Sequence, residues 1–288
     1  MKRIFILLSA LALSVGAFAT GQEGDVIYIN GEKWQLLGKP IESDSILSCG
    51  VNSILPENHS RITSNWSGYT AYWSIKGNQL FLDSILVECY IKESRIYNTR
   101  RIPAEDMRRV FKTYYKKKSI LATWVDYNIR AAKGPTVYYE HMGYARNNEY
   151  EQIFTLNKGK ITDCKSYHNK VAVNGFSFSD LKNAEEMKAK FPLHIENYPE
   201  LAGAKRIFFS VKEVQLNTLG QLVDCKVEAN IYPMDDDKTQ KKEIKERLAQ
   251  EMKDNLMKIF PWKTLYINGE YVSDNKNHGY MIPYNLRE

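Results

Sequence analysis

The chain has 288 residues, 43% of them hydrophobic, with 40 Lys and Arg against 34 Asp and Glu. Its formal charge of +6 includes Lys2 and Arg3 at the extreme N-terminus. That excess is too small to argue for a nucleic-acid partner, and the apolar content is that of an ordinary globular protein. The 19 Tyr and 5 Trp suit β-structure and wet binding surfaces.

Met1-Lys2-Arg3 is followed by an apolar run from Ile4 to Phe18, interrupted by Ser9, Ser14 and Gly16, and then by Ala17-Phe18-Ala19. A positive start, an apolar run and a small-x-small end are the order of a secretory signal. The run is about 15 residues, short of the roughly 20 that span a bilayer. Residues 1–19 are therefore expected to be a cleaved signal peptide, leaving a mature periplasmic or secreted chain that begins at Thr20. No later stretch is apolar enough to cross a membrane, so no stable insertion is expected after cleavage.

Residues 26–30 alternate, end at Asn30-Gly31 and are followed by a second run at 34–37, the strongest short hairpin pattern. Ser43-Asp44 is placed to cap a helix over 46–55, stopped by Pro56. Residues 66–75 and 80–87 form two strands around Lys76-Gly77-Asn78. Alternation gives Tyr69, Ala71, Trp73 and Ile75 one face of the first strand. Pro103, Glu105 and Asp106 open a short helix ending near Phe111. Residues 120–129 read as an aromatic-rich strand, broken by Gly134-Pro135 before another at 137–140. Residues 150–156 and 160–167 flank Asn157-Lys158-Gly159 as a hairpin. Ser179-Asp180 caps a polar helix to Lys190, read as a connector.

Beyond it the pattern is one compact unit. Strands at 206–215 and 221–231 flank a turn at 217–220, and Asp235-Asp236-Asp237 precedes a helix over 239–259. On that helix Ile244, Leu248, Met252, Asn255, Leu256 and Ile259 fall at helical spacing. A tight turn at 266–269 and a last strand at 280–286 complete a β-β-α-β order. The expected class is α+β: an N-terminal, mostly antiparallel β domain with short helices over 20–178, a helical connector over 179–190, and a second domain over 191–288. Two short echoes occur, 28–32 with 266–270 and 159–165 with 220–226; favourable turn chemistry used twice accounts for them better than a duplicated hairpin, which matches this short do not establish.

Residues 191–286 resemble the C-terminal domain of TonB-type energy transducers, with the matching pieces in the family's order. Tyr198-Pro199-Glu200-Leu201-Ala202 is similar to its Tyr-Pro-x-x-Ala motif. Residues 207–211 and 220–227 look like its glycine-turned hairpin. Phe260-Pro261-Trp262-Lys263 matches its aromatic-proline segment, and Asn268-Gly269-Glu270 with Met281-Ile282-Pro283-Tyr284 its closing turn and strand. The loop over 214–219 is longer than the family's, and the proline-rich spacer and a convincing anchor are missing. The resemblance implies a domain that takes an extended peptide by adding a strand to a sheet edge, here without force transmission. Residues 25–190 resemble no family of known activity; their style and the export signal resemble those of periplasmic or secreted proteins of Gram-negative bacteria. The expected partner is an envelope protein or extended peptide. The docking edge is the last strand, where a proline fits only an edge or a bulge, with Tyr280, Met281, Pro283 and Asn285 as its candidate residues.

In the first half, Trp66, Tyr72 and Trp73 are candidates for stacking on a glycan, though alternation assigns part of this group to core. Weighed against both binding readings is a hydrolase with a scattered site. No zinc-protease histidine pair, nucleophile elbow or Walker loop occurs, so no catalytic residue, metal or cofactor is assigned. A Glu140, His141 and His168 grouping is weaker than ordinary loop histidines. Lys116-Lys117-Lys118 beside Tyr114-Tyr115 fits a solvated turn better than an anionic surface, and the acidic run Asp235-Asp236-Asp237 a helix start better than a cation site. Cys49, Cys89, Cys164 and Cys225 form no CxxC pair, and disulfides and free thiols both remain open.

Overall fold

The structure, a computed structural model, describes residues 21–92, 94, 96–116, 118–232, 238–275 and 279–286. The expected signal peptide, residues 1–19, the acidic run 235–237, Lys117 and His278 lie outside these residues. The protein is α+β. It divides into two compact units, one ending at His168 and the other beginning at Asn169.

The first unit is one sheet of ten strands. Strands β1 (Asp25–Ile29) and β2 (Glu32–Leu36) form the Asn30-Gly31 hairpin. Both turn residues have positive φ, 52° and 81°, the geometry that matches strand twist in a two-residue turn. Helix α1 (Ser45–Asn52) is capped by Asp44, whose carboxylate accepts the Ile46 and Leu47 N–H groups at 2.9 and 3.0 Å. Strands β3 (Thr70–Lys76) and β4 (Gln79–Ile91) form the second hairpin, and β5 (Ile96–Arg101) pairs with the far half of β4. Helix α2 (Ala104–Val110) leads to β6 (Tyr115–Lys116) and β7 (Ser119–Leu121). Strands β8 (Asn128–Tyr139), β9 (Arg146–Asn157) and β10 (Lys160–His168) finish the unit.

The unit is mostly antiparallel, as expected, with β1 alone running parallel to its neighbour β3 among the described strand pairs. Two expectations change here. The strand expected at 120–129 is two strands, since β7 stops at Leu121 and β8 starts at Asn128. Gly134-Pro135 does not break β8: the ladder with β9 shifts register between Lys133 and Thr136, absorbing the proline in a bulge.

The sheet also closes on itself. Lys160 of β10 pairs with Gln79 of β4, so β4, β10, β9, β8, β2, β1 and β3 make a ring. Gly159 permits the closure. It has φ of +75°, and a Cβ there would lie 2.6 Å from the Ala122 carbonyl oxygen. The ring encloses Ile27, Leu36, Trp73, Leu80 and Ile85, all fully buried.

The second unit holds two three-stranded sheets. Strand β11 (Lys170–Val173) pairs with β14 (Thr264–Ile267), which pairs with β15 (Glu270–Ser273). The other sheet has β12 (Arg206–Leu216) between β13 (Leu222–Tyr232) and β16 (Tyr280–Asn285). Helix α4 (Lys238–Met257) turns Ile244, Leu248, Met252 and Leu256 into a core shared with Ile207, Phe209 and Ile282. The elements after residue 195 therefore run β-β-α-β-β-β, with a hairpin at 264–273 added to the expected order.

The expected connector is also part of this unit. It contains a 3-10 turn at Phe178–Asp180 and helix α3 (Ala184–Lys190). Phe176, Phe178, Leu181 and Met187 pack on the second core, and Phe176 meets Trp262 edge-on at 5.2 Å. Apolar side chains on both flanks of a polar helix draw it into the core, which is why the division falls at residue 168 and not 178.

Candidate functional site

Strand β16 is an edge: among the described residues it pairs with β12 alone. The Leu286 N–H donates to the Lys205 carbonyl at 3.0 Å. Alternation along an antiparallel ladder then points the N–H groups of residues 284, 282 and 280 at β12. Positions 281, 283 and 285 turn their backbone groups outward, and Pro283 supplies no donor there. The side chains divide the same way. Ile282 and Tyr284 are buried, while Met281 is 65% exposed and Pro283 is exposed. Asn285 is half-buried, its Oδ1 accepting from Arg206 Nε at 2.6 Å.

Tyr280 does not belong with the outward residues, contrary to expectation. It shares the parity of Ile282, is 7% exposed and sits 4.5 Å from the Phe178 ring. Its hydroxyl donates to Asp274, which also accepts from Ser177. Burial, and then Asp274, push its phenol well above the ordinary range.

Trp73 must likewise be withdrawn as a ligand residue. Its face of β3 is the core face, it is fully buried, and its Nε1–H donates to Asp25 Oδ2 at 2.9 Å. Trp66 stands 67% exposed in the loop before β3. Tyr72, half-buried on the opposite face from Trp73, lines a cleft of about 240 Å³ with Glu23, Asn65, Glu88 and Thr99. Trp66 and Tyr72 are thus both accessible, but Trp66 is not part of that cleft's wall.

The polar centre of the first unit is Asp25, which sequence reasoning missed. It is fully buried, and the Lys39 side chain is 3% exposed. Asp25 Oδ1 accepts from the Ala71 N–H at 3.0 Å and from Lys39 Nζ at 3.4 Å. Lys39 Nζ also donates to the Tyr69 carbonyl at 2.6 Å. Burial pushes the Asp25 carboxyl above its ordinary range, and Lys39, the Ala71 N–H and Trp73 oppose that push. The signal was parity: in β1 Asp25 shares the face of Ile27 and Ile29. The network joins β1, the segment after β2 and β3, which locks the parallel pair in register.

Glu251 of α4 holds the Tyr198-Pro199 segment. Its Oε1 accepts from both the N–H and Nδ1 of His194, at 2.7 and 2.6 Å, and its Oε2 from the Tyr198 hydroxyl at 2.7 Å. Burial raises its pKa, but those hydrogen bonds prevail and hold it below the ordinary carboxylate range. Burial and Glu251 push Tyr198 up to about 12.

The histidines considered as a group are partnered separately. His141 Nδ1 meets the Tyr139 hydroxyl at 2.9 Å. His168 stacks on Tyr150 at 4.9 Å and approaches Glu149 at 3.4 Å. All four cysteines are free thiols, Cys89 and Cys225 buried and Cys49 and Cys164 exposed. Among the described residues no group of three or more His, Cys, Asp or Glu is placed to hold a metal, and no helix is long and apolar enough to cross a membrane. No protein-family model, curated protein or solved structure matches the chain.

Proposed function

We propose that this is an exported binding or scaffold protein of the cell envelope that takes an extended peptide, or an extended segment of an envelope protein, on the outer edge of β16, without energy transduction. One observation carries the reading: the outward edge of β16, with Met281 exposed beside it. The resemblance of residues 191–286 to TonB C-terminal domains supports it. A guest strand would meet the N–H groups of Met281 and Asn285 and the carbonyls of 281, 283 and 285. Each such bond contributes about 1 kcal/mol net, and the missing donor of Pro283 keeps the ladder short. Met281 then supplies side-chain choice.

Hydrogen exchange on the full chain tests this with a panel of short synthetic peptides of alternating apolar and polar residues. A binding peptide should slow exchange at Met281 and Asn285, and Asn285→Pro should weaken its binding by about fivefold while the protein still melts cooperatively. Protection confined to other strands would refute the docking edge.

A second reading rests on the exposed Trp66 and the cleft at Tyr72: a glycan-associated protein stacking sugars on these rings. Its test is oligosaccharide titration read by tryptophan fluorescence, with loss of the response in Trp66→Ala.

A further inference from the structure

Strand β4 changes partner on one side along its length. Phe81 and Leu82 pair with Leu121 and Ile120 of β7, whereas residues from Leu86 onward pair with β5, beginning at Arg101. Between them the two neighbouring strands part, and at Asp83 and Ser84 the side of β4 carries no ladder. The Ile102 N–H caps the Ile85 carbonyl at 2.9 Å, and Arg101 Nη2 donates to the Asp83 carbonyl at 3.1 Å. A cleft of about 540 Å³ occupies the gap, within the roughly 300–1,000 Å³ of small-molecule sites.

Its floor is apolar: Leu82, Ile102, Met107 and Ile120 come from four separate segments and are each nearly buried. Its rim is basic. Arg101 and Lys118 line it, both exposed, and Lys118 is turned there by a left-handed backbone, φ +69°, at the β6–β7 turn. The single acid on the lining, Asp83, is already paired with Lys76 at 3.1 Å. Arg108 adds positive charge behind the rim, its guanidinium 5.5 Å over the Tyr115 ring. Ser84, Tyr115 and Ser119 add to the polar lining.

We infer that this cleft binds a small organic acid: an anionic headgroup held between Arg101 and Lys118, with its apolar body on the Leu82–Met107 floor. The lysine run thus contributes one specific cation to a site, beyond being a solvated turn. A planar guanidinium with donors to spare suits a carboxylate, and the apolar floor makes an inorganic anion a poor occupant. The site lies wholly in the first unit and does not depend on peptide docking at β16.

Calorimetric titration of the full chain tests the inference with octanoate, octanamide and octylamine, which share an apolar body and differ in charge. Octanoate should bind, octanamide about tenfold or more weakly, as expected for losing a charge-assisted hydrogen bond, and octylamine more weakly still. Arg101→Gln and Lys118→Gln should each weaken octanoate by about tenfold and leave octanamide unchanged. Ala104→Trp, an exposed lining position at the mouth, should block all three ligands without lowering the melting temperature. N-acetyl-leucine separates the sources of such an acid: tighter binding than octanoate assigns the site to peptide carboxy-termini, weaker binding to free apolar acids. Equal affinities for octanoate and octanamide, or octanoate binding unaltered in the Arg101→Gln, Lys118→Gln double variant, would overturn the assignment.

Discussion

Replacing Lys39 by Met tests whether the buried pair is the polar centre of the first unit. Methionine keeps the length and apolar stem of lysine and removes the ammonium. Asp25 would keep the Ala71 N–H and the Trp73 indole as donors but lose its counter-charge, and the Tyr69 carbonyl would lose a donor at 2.6 Å. Because Asp25 is fully buried, little of that loss is recovered by water. Breaking one side of a buried pair costs about 3–5 kcal/mol, a large part of the roughly 5–15 kcal/mol that holds a domain together. At about 2–4 °C per kcal/mol for a unit of this size, the midpoint should fall by roughly 6–20 °C. Four of the five tryptophans, at 34, 66, 73 and 124, lie in this unit, so urea unfolding followed by fluorescence reads it directly. In the variant, burial raises the Asp25 carboxyl above its ordinary 3.8 with no ammonium to oppose it, and the folded state takes up the proton first. Stability then falls as pH rises from that value through the folded one, so acidification should narrow the gap to wild type. The double variant Asp25→Asn, Lys39→Met should regain part of the loss. A Lys39→Met deficit below about 1 kcal/mol at pH 7, or one that widens on acidification, would refute the placement of the pair in the core.

Three further outcomes follow from the sequence and the two cores. N-terminal sequencing of the protein from envelope fractions should find Thr20 first; recovery of Met1 from membranes would sink the export reading. Glu251→Gln should cost about 1–2 kcal/mol. Because the Glu251 carboxyl is held below its ordinary value, its contribution is complete above the unfolded pKa and disappears as pH falls through the folded one, so this acid-side loss should be missing in the variant. Ile282→Asp should unfold the second unit by placing a carboxylate at a position 1% exposed, whereas Met281→Asp should leave the melting temperature nearly unchanged; the reverse order would mean the faces of β16 are assigned backwards.

Local turn chemistry was readable because two or three residues decide it. Asn30-Gly31, Gly77-Asn78 and Lys158-Gly159 all carry positive φ, which glycine and asparagine accept and which Lys158 shares beside Gly159, and each turn joins the strands expected around it. The apolar stripe of α4 was readable for the same reason, since its period is internal to the helix. What failed depends on distant partners. Residues 96–101 are exposed along their whole length and carry no alternation, yet they form a strand because β4 offers them an edge. Strand β11 exists through pairing with β14, far along the chain. Gly134-Pro135 reads as a break when only local rules apply, and becomes a bulge once β9 supplies a continuous ladder. At the candidate sites, parity sorted Met281 and Pro283 correctly from Ile282 and Tyr284. The same parity places Tyr280 and Trp73 on the buried faces of β16 and β3, so neither belongs to a binding surface. Lys39 gave no pattern at all, because its role arises only when the segment after β2 folds back over Asp25.

The sheet built on β12 has two edges, β13 and β16, and their protection differs in a way that bears on the proposed docking. On β13, the Cys225 N–H is occupied by the neighbouring Asp224 carboxylate at 2.9 Å, and Lys253 of α4 reaches across to that carboxylate at 2.6 Å. Those contacts place charged side chains from both strand and helix against the near end of the edge, the usual means of discouraging strand addition. On β16 the protection is one missing donor at Pro283, flanked by outward positions on either side. A proline at the centre of a short edge prevents a long, indiscriminate ladder but leaves two donors and three acceptors for a guest. Backbone pairing of that extent is too small to bind tightly by itself, so affinity must come from side chains at the same face, where Met281 is the large exposed apolar group. In the proposed docking, selectivity at β16 should therefore follow the guest residue that packs on Met281 more than the length of the guest strand.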